Sequence, residues 1–160
     1  MKSLPSTKSS LLAALAVFMV IFNLGYVFHD LLLDEWFHQQ QPFAREHYII
    51  PYIALAFAAY ALILAHLFPS YHAARPARSV WSNGLRFGLM MGVVFDATQG
   101  GIIEVATFEM PLSVFLVDSS YHVLVEGSVA GLVLAAVYQR LWLRAAEHKP
   151  LPVSVTSAAV

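Results

Sequence analysis

The sequence predicts an all-α polytopic membrane protein, an antiparallel bundle of four transmembrane helices with both termini cytoplasmic. Three observations predict it. Of 160 residues, 59% are hydrophobic and only 12% are charged, where a soluble domain carries about 25% charged residues. The apolar residues gather into four runs, each near the roughly 20 residues a helix needs to cross a bilayer core of about 30 Å. Basic residues collect at alternate ends of those runs, as the positive-inside rule requires.

The first run covers residues 11–33. Lys2 and Lys8 precede it in the manner of a signal peptide. The run is longer than the usual h-region of about 7–15 residues, and no A-x-A cleavage site follows it, so a retained span is expected. The second run covers 49–68 and the fourth 112–137, with Pro51 and Pro111 at their starts, where a missing N–H costs little. The third run covers 85–108. Lys2, Lys8, Arg75, Arg78, Arg86, Arg140, Arg144 and Lys149 fall on one side of the membrane. Asp34, Glu35, Arg45, Glu46 and Glu109 fall on the other. Trp36, Tyr48 and Tyr52 mark the outer interface, and Trp81 and Trp142 the inner one.

The segments 1–9 and 149–160, polar and proline-containing, are expected to be disordered, which makes 1–160 a single domain. The outer loop, Asp34 to Tyr48, reads as a solvated connector that begins as an extension of span one, or as a lid over the outer mouth. The inner loop HAARPARS reads as a basic connector. Absence of cysteine removes disulfides, thiolate metal sites and iron–sulfur clusters, which leaves seven histidines as the strong nitrogen ligands. No motif reads nucleic acid, and the near-neutral charge offers it no basic surface.

Two ladders at every fourth position carry the functional argument. Gly84, Gly88, Gly92, Asp96, Gly100 and Glu104 form one, and Asp118, His122 and Glu126 the other, followed by Gly127 and Gly131. At about 100° per residue, such a series stays on one helix face. Ionisable groups in apolar helices are costly unless they meet a partner, a cavity or a ligand. Counted at about 1.5 Å per residue from Leu112, Asp118, His122 and Glu126 lie about 9, 15 and 21 Å deep, with Asp96 level with the last two and Glu104 level with Asp118. Span one adds Asn23, Tyr26 and Asp30 on one face, with His29 beside them. For His29, His66 and Asn23 the expectation is simple helix packing through hydrogen bonds. The glycine stripes predict that the inner halves of spans three and four clamp together while the outer halves diverge around the polar groups.

A ligand-binding set of Asp96, Gln99, Glu104, Asp118, His122, Glu126, Asp30 and Tyr26 follows. Asp118, His122 and Glu126 are the candidate metal ligands, since carboxylates with imidazole suit Zn, Mn or Fe. Three readings stay open. The site binds a divalent metal, a proton or another small ligand. Alternatively it performs acid–base chemistry on a lipid or isoprenoid, with Asp96 and Glu126 as acid and base, His122 as shuttle and an aromatic lining from Phe22, Tyr26, Tyr52, Tyr60, Phe95 and Tyr121. In the third, the protein is a non-catalytic subunit or assembly factor, and so short a bundle favours a homo-oligomer or a larger membrane complex. No lysine lies in the apolar runs, which excludes a retinal Schiff base. A haem between His29 and His122 is disfavoured because the two appear at unlike depths. No Walker loop, HExxH or nucleophile elbow occurs.

The stretches RFGLMMGVVFD (86–96), PLSVFLVDSSY (111–121) and EGSVAGLVL (126–134) resemble small four-helix bacterial membrane proteins of unknown function. The resemblance covers the second half of the chain. It implies four helices and a bacterial inner membrane, and it carries no assigned site.

Overall fold

In the computed structural model, which describes residues 6–40, 48–95, 102–107 and 110–147, helix α1 spans Thr7–Tyr26. The Ser6 side chain caps it by accepting from the Ser9 N–H at 3.3 Å. The helix therefore begins inside the segment 1–9 that was expected to be disordered. Beyond Tyr26 the helix widens into a π-helical segment, Val27–Leu32. There the Leu33 N–H reaches back five residues to the Phe28 carbonyl at 3.1 Å. A short helix, α2 (Asp34–Gln40), follows.

Helix α3 runs Ile50–Ala73 with Pro51 in its first turn, and a second proline, Pro69, is accommodated near its end. Helix α4, Val80–Gly92, starts at Ser79, whose side chain accepts from the Ser82 N–H at 3.1 Å. Helix α5, Ile102–Thr107, is short. Helix α6 (Leu112–Ser120) passes through a second π-helical segment, Tyr121–Gly127, into α7 (Ser128–Glu147). No strand occurs among the described residues.

Three continuous helical stretches are long and apolar enough to cross a membrane: Thr7–Leu32, Ile50–Ala73 and Leu112–Trp142. They correspond to the first, second and fourth runs of the sequence. The predicted third span, 85–108, lies partly outside the described residues, and its described part is α4 with α5.

The core is built from one small-residue face per helix. On α1 the buried residues include Ala13, Val17, Ile21 and Gly25, a strict four-residue series. They meet Ala61, Leu64, Ala65 and Phe68 of α3, and Ala130, Leu134 and Tyr138 of α7. The buried Tyr138 hydroxyl donates to the Ala65 carbonyl at 2.7 Å, so a polar atom in an apolar interior has its partner. At the Ala73 end of α3, fully buried Asn83 donates from Nδ2 to the Arg75 carbonyl at 3.1 Å and lies 2.8 Å from His72 Nδ1. His72 in turn stacks on Trp142, with ring centroids 4.9 Å apart.

Helix α4 joins the others by backbone contact. A Cβ placed on Gly127 would sit 2.7 Å from the Gly88 carbonyl oxygen, and one on Gly92 would sit 2.9 Å from Val123 Cα. Gly84 and Gly131 block each other in the same way. The predicted clamp between the two glycine stripes is therefore present, and only hydrogen fits at its contact points.

Gly88→Ala forces α4 away from α7, at a cost on the order of 1–3 kcal/mol for overpacking. We expect a lower thermal midpoint in detergent, whereas Met90→Leu on the exposed side of α4 leaves it unchanged.

Candidate metal centre

Three side chains from two spans converge at the π-helical segments. His29 Nε2 lies 3.4 Å from His122 Nε2 and 3.5 Å from Asp118 Oδ1. His122 Nε2 lies 3.6 Å from the same Asp118 oxygen. These three atoms make a nearly equilateral triangle. An α-helical repeat puts Asp118 and His122 on one face. On α1 the four-residue series of buried positions, Ala13, Val17, Ile21 and Gly25, continues to His29 within the widened turn Val27–Leu32.

The triangle's size is informative. A cation seated over a face with edges near 3.5 Å lies about 2.1 Å from each corner in tetrahedral geometry, which matches zinc–imidazole and zinc–carboxylate distances. Octahedral geometry over the same face gives about 2.5 Å, in the range of calcium, which takes oxygen ligands only. Among the described residues the group offers three ligands to a metal ion, which in tetrahedral geometry leaves a fourth position.

His122 is oriented from behind. Its Nδ1 is hydrogen-bonded to Glu126 Oε2, and Glu126 is only 3% exposed. Donation from Nδ1–H to the carboxylate leaves the lone pair on Nε2, which is the atom in the triangle. A ligating histidine held by a carboxylate at its other nitrogen is the usual second layer of a metal site. His29 is fixed by rings instead. Phe28 meets it edge-on at 5.0 Å, and Phe37 of α2 lies 5.0 Å away on another side. Phe28 itself stacks on Tyr121 with centroids 3.7 Å apart and an interplanar angle of 2°.

A cavity of about 330 Å³ opens beside the triangle. His29, Asp118 and His122 line one part of it, and Phe22, Ile53 and Phe57 line another. Phe37 and Tyr48, both within the stretch expected to be connector or lid, reach this cavity as well. Burial pushes the Tyr48 phenol up, and the charges of Asp34 and Asp30 add to the shift, so it stays a neutral hydroxyl at neutral pH. A second cavity of about 260 Å³ lies on the other side of His122, bounded by Tyr60, Phe95 and Glu126 among others.

The sequence-derived set is partly reassigned by these positions. Asp118 and His122 stand in the centre, and Glu126 contacts it through His122 rather than sharing the triangle. Asp30 and Tyr26 line the first cavity. Asp96 and Gln99 lie outside the described residues, as does the Glu104 side chain. Of the six expected lining aromatics, Tyr52 instead faces outward at 70% exposure. Asn23 bonds within its own helix, donating to the Met19 carbonyl at 2.6 Å, and exposed His66 takes no part.

His29 is the residue that sequence reasoning missed. The expectation placed it at packing only, and the partner of Asp118 and His122 was sought on span three. One physical reason accounts for the difference. The helical stretch Leu112–Trp142 is 31 residues long, about 46 Å at the usual rise. So long a stretch overreaches a bilayer core of about 30 Å, so Leu112 is no reference for depth, and the 3.4 Å between His29 Nε2 and His122 Nε2 removes the supposed mismatch. The available signal was the series Ala13, Val17, Ile21, Gly25, which reaches His29 at the next step of four. A haem between the two histidines remains unsuitable for another reason: 3.4 Å between Nε2 atoms leaves no room for a porphyrin plane.

No family model, curated protein or solved structure matches the chain.

The Tyr121 hydroxyl is buried without a hydrogen-bond partner among the described residues, while Tyr138 has one. Tyr121→Phe should leave thermal stability unchanged or raise it. Tyr138→Phe should cost about 1 kcal/mol. Thermal unfolding of the two isosteric variants side by side checks this.

Proposed function

We propose that this is a four-span membrane protein that binds a divalent transition metal, zinc-like in its geometry, through His29, Asp118 and His122. The observation that carries the reading is the triangle of 3.4, 3.5 and 3.6 Å between three ligand atoms. Two imidazole nitrogens and a carboxylate oxygen this close repel through their lone pairs unless a proton or a metal sits among them. In a low-dielectric interior that repulsion is little screened, so a cation at the centre stabilises the arrangement. Glu126 fixes the His122 tautomer and raises its basicity as a ligand.

The four-span topology rests on the sequence for its third member. Residues 85–108 supply the apolar length, the α4 glycines pack on the last span, and the alternating basic residues support cytoplasmic termini. That orientation puts the metal centre near the non-cytoplasmic side. Since the chain has no cysteine, single cysteines introduced at Ser6 and Ser157 should react only with reagents on the cytoplasmic side. A cysteine at Gln40 should react from the opposite side.

The metal reading is tested by loading purified protein with Zn(II) or Co(II) and measuring bound metal. One ion per chain is expected. His29→Ala, Asp118→Asn and His122→Ala should each abolish stoichiometric binding. Glu126→Gln should weaken it by about 10–100-fold, as loss of an outer hydrogen-bond partner does, and Asp30→Asn should retain it. Saturating metal at about 100 times its dissociation constant should add roughly 2.7 kcal/mol to stability, lost on chelation. Wild-type protein that binds no metal, or a His29→Ala variant that binds normally, overturns the proposal.

A further inference from the structure

The metal triangle does not face a closed wall. All three of its residues line the 330 Å³ cavity, whose other walls are mainly apolar. A site that served only to hold the ion structurally would be closed by a fourth ligand. Here the remaining space is much larger than a water molecule, and it sits at the lower end of the usual range for small-molecule pockets, about 300–1,000 Å³. An apolar cavity of about 150 Å³ is enough for benzene, so this one takes an aromatic ring with a short substituent, or a short branched hydrocarbon chain.

Its construction supports occupancy by such a body. Phe22 and Phe57 meet edge to face at 6.0 Å and form one wall. Gly25 permits their approach, since a Cβ there would meet Phe57 Cζ at 3.3 Å. Polar groups are concentrated elsewhere: the triangle, Asp30, and the hydroxyls of Tyr26 and Tyr48. An oxygen anion has a lone pair for the open position of a divalent ion and an ammonium group has none, while the carboxylates of Asp30 and Glu126 limit the ligand to a single negative charge.

We propose that this cavity binds a small, mainly apolar molecule whose single anionic oxygen head group (a carboxylate, hydroxamate or phenolate) occupies the open position of the metal. The inference rests on the metal reading above. The ligand's apolar body lies against Phe22, Ile53 and Phe57, and its head group lies between His29 and His122. Whether such a molecule comes from the lipid phase or from solution, the recognising chemistry is the same.

The test uses the Co(II)-loaded full-length protein in nanodiscs, read by its visible ligand-field bands. Acetohydroxamate is titrated first, followed by the butano-, hexano- and octano-hydroxamates and benzohydroxamate. Each methylene buried should raise affinity by about fourfold, the factor that corresponds to burying one CH₂, until the cavity is full. Ile53→Trp fills the cavity and should flatten the series to the acetohydroxamate value while the Co(II) bands persist. Phe57→Ala enlarges it and should move the plateau to longer chains, a second readout should the tryptophan variant fold poorly. Partition into the lipid disc alone predicts the same slope in all three proteins, and that result overturns the cavity proposal, as does a flat series in the wild type. Both leave the metal reading standing. If no Co(II) bands form at all, the metal reading falls and takes this inference with it.

Discussion

Backbone-to-backbone contact between α4 and the last span is the constraint on which the other features depend. At Gly88 and Gly127 the two helices approach until only hydrogen separates them. In lipid no solvent-driven force holds helices together, so close van der Waals contact of small residues has to supply the attraction. This contact fixes the rotation of the last span. With Gly127 and Gly131 turned toward α4, the ladder of Asp118 and His122 is carried toward α1, where His29 waits. Gly92 extends the contact to Val123, directly beside the histidine. A bulkier residue at any of these positions rotates or displaces the helix that carries two of the three candidate ligands.

The polar centre is tolerable in this setting because its members answer one another. Glu126 is nearly inaccessible, yet it bonds His122 Nδ1, and His122 presents its other nitrogen to Asp118 and His29. Intramembrane charges are expensive singly and are retained where they pair or serve a function. Aromatic rings complete the surroundings. The parallel stack of Phe28 on Tyr121 joins α1 to the last span one residue away from both histidines, and Phe37 of α2 closes over His29. Apolar packing and the geometry of the candidate metal centre thus reinforce each other at the same contact between helices.

Much of this was legible in the sequence, and the parts that were not have identifiable causes. Helical spans could be read because bilayer thickness sets a minimum length of apolar residues, and Leu112–Trp142 simply exceeds it. The clamp could be read because glycines at four-residue spacing have few other uses in a membrane helix. Asp118, His122 and Glu126 could be grouped because one helix carries all three. His29 could not be assigned by the same periodicity applied to polar residues, because Asn23, Tyr26 and Asp30 marked a different face of α1. The buried face of that helix is marked by small and apolar residues, Ala13, Val17, Ile21 and Gly25, which in an apolar span do not stand out. The different positions of Asp118, in the triangle, and Glu126, behind His122, were also hidden, since spacing alone does not say which nitrogen of His122 faces which carboxylate.

The widened turn at Val27–Leu32 has a consequence for how this chain can vary. An additional residue in a helical turn is a phase shift, and every side chain beyond it points in a direction set by the count as well as the composition. Between Ile21 and His29, most single substitutions on the outward side leave the imidazole where it is. Losing or gaining one residue there swings it by about 100° toward the hydrocarbon. Chain length in this short interval thus decides whether the imidazole meets Asp118 and His122, as much as the identity of the side chain does.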